Sequence, residues 1–142
     1  MIRYLAFASI LLSAAFGRAE DATQFRGNGG TGVSQEKNLP TKWSLTENLR
    51  WKAPLPGRGL SNPVIAGGRV YVTATSAYEQ KREVVICFDV KTGKKLWERQ
   101  VWATGTTLCH KKTNMAAPTP MTDGDRVYAL FATCLLYTSR CV

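Results

Sequence analysis

"FDVKTGKKLW", residues 88–97, decides how the chain is to be read. An apolar run ends in Asp89, Thr92-Gly93 follows, and Trp97 returns two residues after Lys95. Asp89 and Thr92 have short side chains that accept hydrogen bonds from turn amides, and Gly93 reaches the left-handed backbone region that closes a hairpin. Trp97 then plugs the next strand with a large apolar ring. An Asp at a strand end with Thr-Gly three residues on is a turn residue before it is a catalytic one.

Outward from this hairpin the apolar period is two, not 3.6. Strands are expected at 49–53, 62–66, 69–74, 84–90, 95–101, 117–122 and 126–132, with Gly67-Gly68 as a hairpin turn and Pro56-Gly57-Arg58-Gly59 as a turn region. In "EVVICFDV" both faces are apolar: Val84, Ile86, Phe88 and Val90 on one, Val85 and Cys87 on the other. Such a strand is covered on both sides. No amphipathic helix is predicted downstream of residue 20.

The hairpins repeat. "NPVIAGGRVYV" (62–72) aligns with "TPMTDGDRVYA" (119–129), pairing Pro63, Gly67, Arg69, Val70 and Tyr71 with Pro120, Gly124, Arg126, Val127 and Tyr128 at an offset of 57 (120 − 63). "LRWKAPL" and "LWERQV" align on Trp51 and Trp97 at an offset of 46 (97 − 51), and an insertion within "WATGTTLCHKK" accounts for the difference. A spacing near 46 with about four short strands per unit suits a propeller blade. A β-sandwich with chance hairpin similarity is the competing reading.

Residues 87–97, "CFDVKTGKKLW", resemble the PQQ-type β-propeller repeat, whose pattern runs Ala-x-Asp-x-x-Thr-Gly-x-x-x-Trp; Cys87 stands where that pattern has Ala. The leader "QFRGNGGTGVS" and "LRWKAPLPGRGLSNPVI" are similar to exported proteins of the same class, and the likeness covers about residues 24–132. The resemblance implies an all-β fold of about one and a half four-stranded antiparallel blades. It also implies structural roles for Asp89, Thr92, Gly93 and Trp97, the Trp docking neighbouring blades.

At the N-terminus, Arg3 precedes a mostly apolar run from Tyr4 to Phe16, and Gly17-Arg18-Ala19 places small residues two apart. That order reads as a signal peptide over 1–19, too short in its apolar part for the ~20 residues of a membrane span. Export to the periplasm or beyond is the consequence. A Gly-rich leader occupies 20–48, propeller blades 49–133. The leader's "GNGGTG" (27–32) has the spacing of a dinucleotide fingerprint, but no buried strand precedes it and Pro40 interrupts the segment after it.

Formal charge is +9, with Lys and Arg scattered singly or in pairs such as Lys94-Lys95 and Lys111-Lys112. A nucleic-acid binder clusters its cations along an aromatic-lined groove, so no nucleic-acid partner is expected; some attraction to acidic envelope surfaces is. The four cysteines (Cys87, Cys109, Cys134, Cys141) lack CxxC spacing, and His110 is the single His, read as a loop imidazole.

Two functions compete. One is a non-catalytic scaffold or binding protein of the cell envelope, its partner a protein or a small molecule. The other is part of a quinoprotein alcohol or sugar dehydrogenase, which the resemblance would equip with pyrroloquinoline quinone (PQQ) and calcium. The dehydrogenase reading needs a catalytic Asp, carboxylate or amide calcium ligands and often adjacent cysteines, none of which the sequence identifies. The scaffold reading is therefore favoured, with no catalytic, cofactor or metal residue assigned and no cofactor expected for this chain alone.

"CLLYTSRCV" (134–142) stands apart. A polar loop and a third strand like "EVVICFDV" are due there, and "CLLYTS" matches one reading frame of a widely used sequencing adapter. The segment is expected to be foreign to the protein; a true edge strand, for which its apolar content is adequate, is the competing reading.

Overall fold

A computed structural model of the chain describes residues 20–105, 107–133 and 135–140. The expected signal peptide lies outside the described residues, as do Cys134 and Cys141. Seven strands form two antiparallel sheets: β1 (Val64–Ala66), β2 (Arg69–Ser76), β3 (Arg82–Asp89) and β4 (Lys95–Trp102) in the order β1-β2-β3-β4, then β5 (Met121–Thr122), β6 (Arg126–Phe131) and β7 (Leu135–Arg140) in the order β5-β6-β7. The described helical structure is two three-residue 3-10 turns, Asn28–Gly30 and Tyr78–Gln80. The chain is all-β.

The repeat survives in register. Val64 faces Tyr71 and Ile65 faces Val70 in the first hairpin; Met121 faces Tyr128 and Thr122 faces Val127 in the second, each 57 residues on (121 − 64, 128 − 71). Asn62 and Thr119, equivalent by the same offset, touch directly through an N–H to Oγ1 hydrogen bond of 3.2 Å.

Both faces of β3 are covered, as its sequence requires. Val85 and Cys87 join Val64, Ala66 and Tyr71 against Ala116, Val127, Ala129 and Phe131, a core shared between the sheets with Trp97 packed on it. Val84, Ile86 and Phe88 join Val70 and Ala74 on the opposite face, where Trp51, Ala53, Ile65, Val72 and Val90 pack. Each fully buried side chain of the size of Tyr71, Phe131 or Ile86 contributes about 1.5–3 kcal/mol.

Two expected strands are corrected. Residues 49–53 form no ladder; their alternation reflects one packed face, Trp51 and Ala53 lying on the outer core. Of 117–122 only Met121–Thr122 is strand, because Pro118 and Pro120 have no N–H to give a ladder. The expected turn region at Pro56–Gly59 instead runs against β2, Arg58 bridging Thr75 with paired hydrogen bonds of 2.8 Å. A Cβ on Gly57 or Gly59 would stand 2.1 or 2.3 Å from the Thr75 or Thr73 carbonyl oxygen, so only glycine allows this approach.

The leader stitches the sheets together. Ala22 exchanges two hydrogen bonds with Ile65 (2.8 and 2.9 Å), while the Thr23 carbonyl accepts from Thr122 N (2.9 Å). One extended segment therefore borders the first strand of each sheet.

Candidate functional site

The Asp89–Gly93 turn is built as its residue types dictate. Asp89 Oδ1 accepts from Lys91 N (3.0 Å), Thr92 N (2.8 Å) and Thr92 Oγ1 (2.7 Å). These bonds, the Thr92 hydroxyl first, hold the Asp89 carboxyl below the usual carboxylate range. Gly93 N donates back to Asp89 O at 2.9 Å. Three donors of the turn thus converge on Asp89 Oδ1.

Gly93 is required twice over. Its φ is +70°, and a Cβ there would stand 2.5 Å from the Trp51 ring. Trp51 lies over the turn, donates its indole N–H to Val90 O (2.9 Å) and packs on Phe88 with ring centroids 6.2 Å apart. Trp97, aligned with Trp51 by the repeat, packs on Tyr71 at 6.0 Å, and its buried indole nitrogen meets no protein acceptor among the described residues. The structure thus brings Asp89, Thr92 and Gly93 into one turn and sets Trp97 apart from them on the shared core.

A second turn repeats the device with different residues. Asp123 Oδ1 accepts from Asp125 N (2.9 Å) and Arg126 N (2.7 Å), and Oδ2 accepts from the Tyr128 hydroxyl (2.7 Å), which leads in lowering the Asp123 pKa.

A polar cluster that the sequence reading missed lies at the other end of the strands. Along the inter-sheet face β2 runs Tyr71, Thr73, Thr75 and β3 runs Cys87, Val85, Glu83, with Thr75 directly opposite Glu83. The face turns from apolar to polar toward that end. Glu83 is fully buried; its Oε1 accepts from Thr133 Oγ1 in the turn after β6 (2.8 Å), and no protein group among the described residues pairs with Oε2. Burial pushes the Glu83 carboxyl above its usual range, opposed by the Thr133 bond.

Gln80 is the hub of the surrounding network. Its Oε1 accepts from Thr75 Oγ1 and Met115 N (both 3.2 Å), and its Nε2 donates to Cys109 Sγ (3.3 Å). Thr73 Oγ1 lies 2.9 Å from Ser61 Oγ. Asn114 is 1% exposed, with neither amide atom bonded to a protein group among the described residues. Ala77, Glu79 and Gln80 have positive φ (+65°, +52° and +61°), a backbone conformation costing non-glycine residues about 1–3 kcal/mol each.

This end contains a buried carboxyl whose burial favours its protonated form, together with amides and hydroxyls. The Glu83–Thr133 bond and the Gln80 bonds to Thr75 and Met115 join separate elements here. Cys109 contacts Gln80 and Thr113 O, and Cys87 is a buried thiol of the core. His110 stands on the exposed loop, its Nδ1 accepting from Lys112 N (3.2 Å). Among the described residues no group of three His, Cys, Asp or Glu side chains could hold a metal ion. Glu83, Gln80 and Asn114 carried no sequence signal beyond polarity, because their partners lie on other elements.

A family model described as outer membrane protein assembly factor BamB, of the PQQ-repeat type, matches residues 24–139. The chain belongs to this family. It is accordingly a protein of β-propeller type, and the match spans the stretch 87–97. No curated protein matches the chain. Among the described residues no helix is long and apolar enough to cross a membrane.

Proposed function

We propose that this is an exported propeller protein acting as a non-catalytic scaffold or binding protein of the cell envelope. The observation carrying the reading is the use of the repeat's chemistry-bearing residues: Asp89, Thr92 and Gly93 are consumed in holding a hairpin and seating Trp51. The four-stranded first sheet is then one blade and the second sheet the start of the next. Trp97 is the equivalent rivet for a following turn, by its alignment with Trp51 and its place on the shared core. The Arg3–Ala19 pattern and a family described as an outer membrane assembly factor both favour a periplasmic or secreted location and a protein partner.

The quinoprotein reading fits the residues less well. PQQ and calcium would need a cradle of carboxylates or amides facing one space. The turn aspartates Asp89 and Asp123 are spent on backbone amides and hydroxyls, and no two cysteines of the chain are adjacent. No step through that cofactor is derived.

Sequencing the genomic reading frame beyond Thr133 separates the two. Further Asp-x-x-Thr-Gly-x-x-x-Trp units without quinone ligands support the scaffold; adjacent cysteines with a set of calcium-binding carboxylates would reverse the ranking.

A further inference from the structure

The polar end of the strands carries a surface that the turn end does not. Glu79, Lys81, Thr104, Gly105, Thr107 and Leu108 line one groove, with Glu79 in the middle of the 3-10 turn Tyr78–Gln80. Arg58 Nη1 donates to Lys111 O (3.2 Å), which ties the Arg58 segment to the same place. Tyr78 and Leu108 protrude there, each 81% exposed. Around them stand Arg58, His110, Lys111 and Lys112, all exposed, and Lys81. Glu79 is the exposed carboxylate of this group and is taken by Lys81 at 3.5 Å; none of the ion pairs among described residues involves Arg58, Lys111 or Lys112. The turn end is different: Asp21, Asp89, Asp123 and Asp125 offset Arg69, Lys91, Lys94 and Arg126.

We propose that this end docks on an anionic lipid surface, Leu108 and Tyr78 entering the headgroup region while Arg58, Lys111 and Lys112 meet lipid phosphates. The inference rests on the export reading for the membrane the protein would meet. Two physical arguments choose lipid over an acidic protein segment. Exposed apolar side chains gain by entering a yielding interface, where Tyr in particular is favoured. Cations beside them are each drawn to anionic headgroups, with an effect of about fivefold in binding per Lys or Arg that fades within a Debye length.

The test is sedimentation of the full mature protein with vesicles of pure phosphatidylcholine and with vesicles containing roughly one-third phosphatidylglycerol, at about 0.1 M salt. Binding to the anionic vesicles alone is expected, with Lys111→Glu/Lys112→Glu weakening it tenfold or more and Leu108→Ser about threefold. Lys91→Glu/Lys94→Glu at the opposite end should leave binding unchanged, and thermal melts verify that each variant folds. Lack of binding to anionic vesicles overturns the proposal. So does equal loss in the opposite-end variant, unchanged binding of Leu108→Ser, or capture of a Glu/Asp-rich peptide without vesicle binding. Because the assay uses purified protein, its failure is distinct from failure of export, which the mature N-terminal sequence reports.

Discussion

Trp51 and Val90, 39 residues apart, are joined by an indole N–H to carbonyl hydrogen bond of 2.9 Å that pins a segment without a ladder of its own to the Asp89–Gly93 turn. The bond and the ring contact are separable. Trp51→Phe should lose about 0.5–1.5 kcal/mol, the net worth of one hydrogen bond, and Trp51→Ala about 3 kcal/mol or more. Urea denaturation of the two variants checks the order; equal losses would show that the ring alone matters.

Gly93→Ala places a Cβ into the Trp51 ring at a left-handed φ. The backbone strain costs about 1–2 kcal/mol and the overpacking about 1–3 kcal/mol. In the Trp51→Ala background only the backbone part should remain, so a double-mutant cycle reads the contact directly.

Trp97→Ala in the full-length protein should cost about 3–5 kcal/mol through lost packing on the shared core. Lost activity at unchanged stability would make it a functional residue instead.

The two carboxyls with opposite shifts give opposite pH limbs. Asp89 is depressed, so its stabilisation is present above its ordinary value of 3.8 and is lost as pH falls through the folded value. Asp89→Asn should flatten this acid limb. Glu83 is raised, so the folded state binds the extra proton: stability falls as pH rises from 4.5 through the folded value. Glu83→Gln keeps a partner for Thr133 and removes the charge, so its melting temperature should stay flat across that window and match or exceed wild type at pH 7.

What could be read in the sequence was local. Gly67-Gly68, Asp89-x-x-Thr-Gly and the two-faced apolar run of β3 each specify their own geometry within a few residues. Residues 49–53 misled because alternation reports a packed face, and Trp51 packs by its ring. Glu83 went unnoticed because a Glu between Arg82 and Val84 at a strand start looks solvated; its hydrogen-bond partner Thr133 lies 50 residues on.

The 134–142 segment makes a separate prediction. β7 pairs with β6, yet in a register unlike the first unit: Arg69 faces Asp89, 20 residues on (89 − 69), whereas Arg126 faces Arg140, 14 on (140 − 126). Long-read sequencing of the source locus should show different codons after Thr133; a genomic run encoding Cys134 to Val142 would retire the adapter reading.

The scaffold account is tested most directly by titrating the purified full-length protein with pyrroloquinoline quinone and calcium while following quinone absorbance. The account predicts no saturable change. Stoichiometric, calcium-dependent binding, with dye-linked oxidation of an alcohol or sugar, would contradict it.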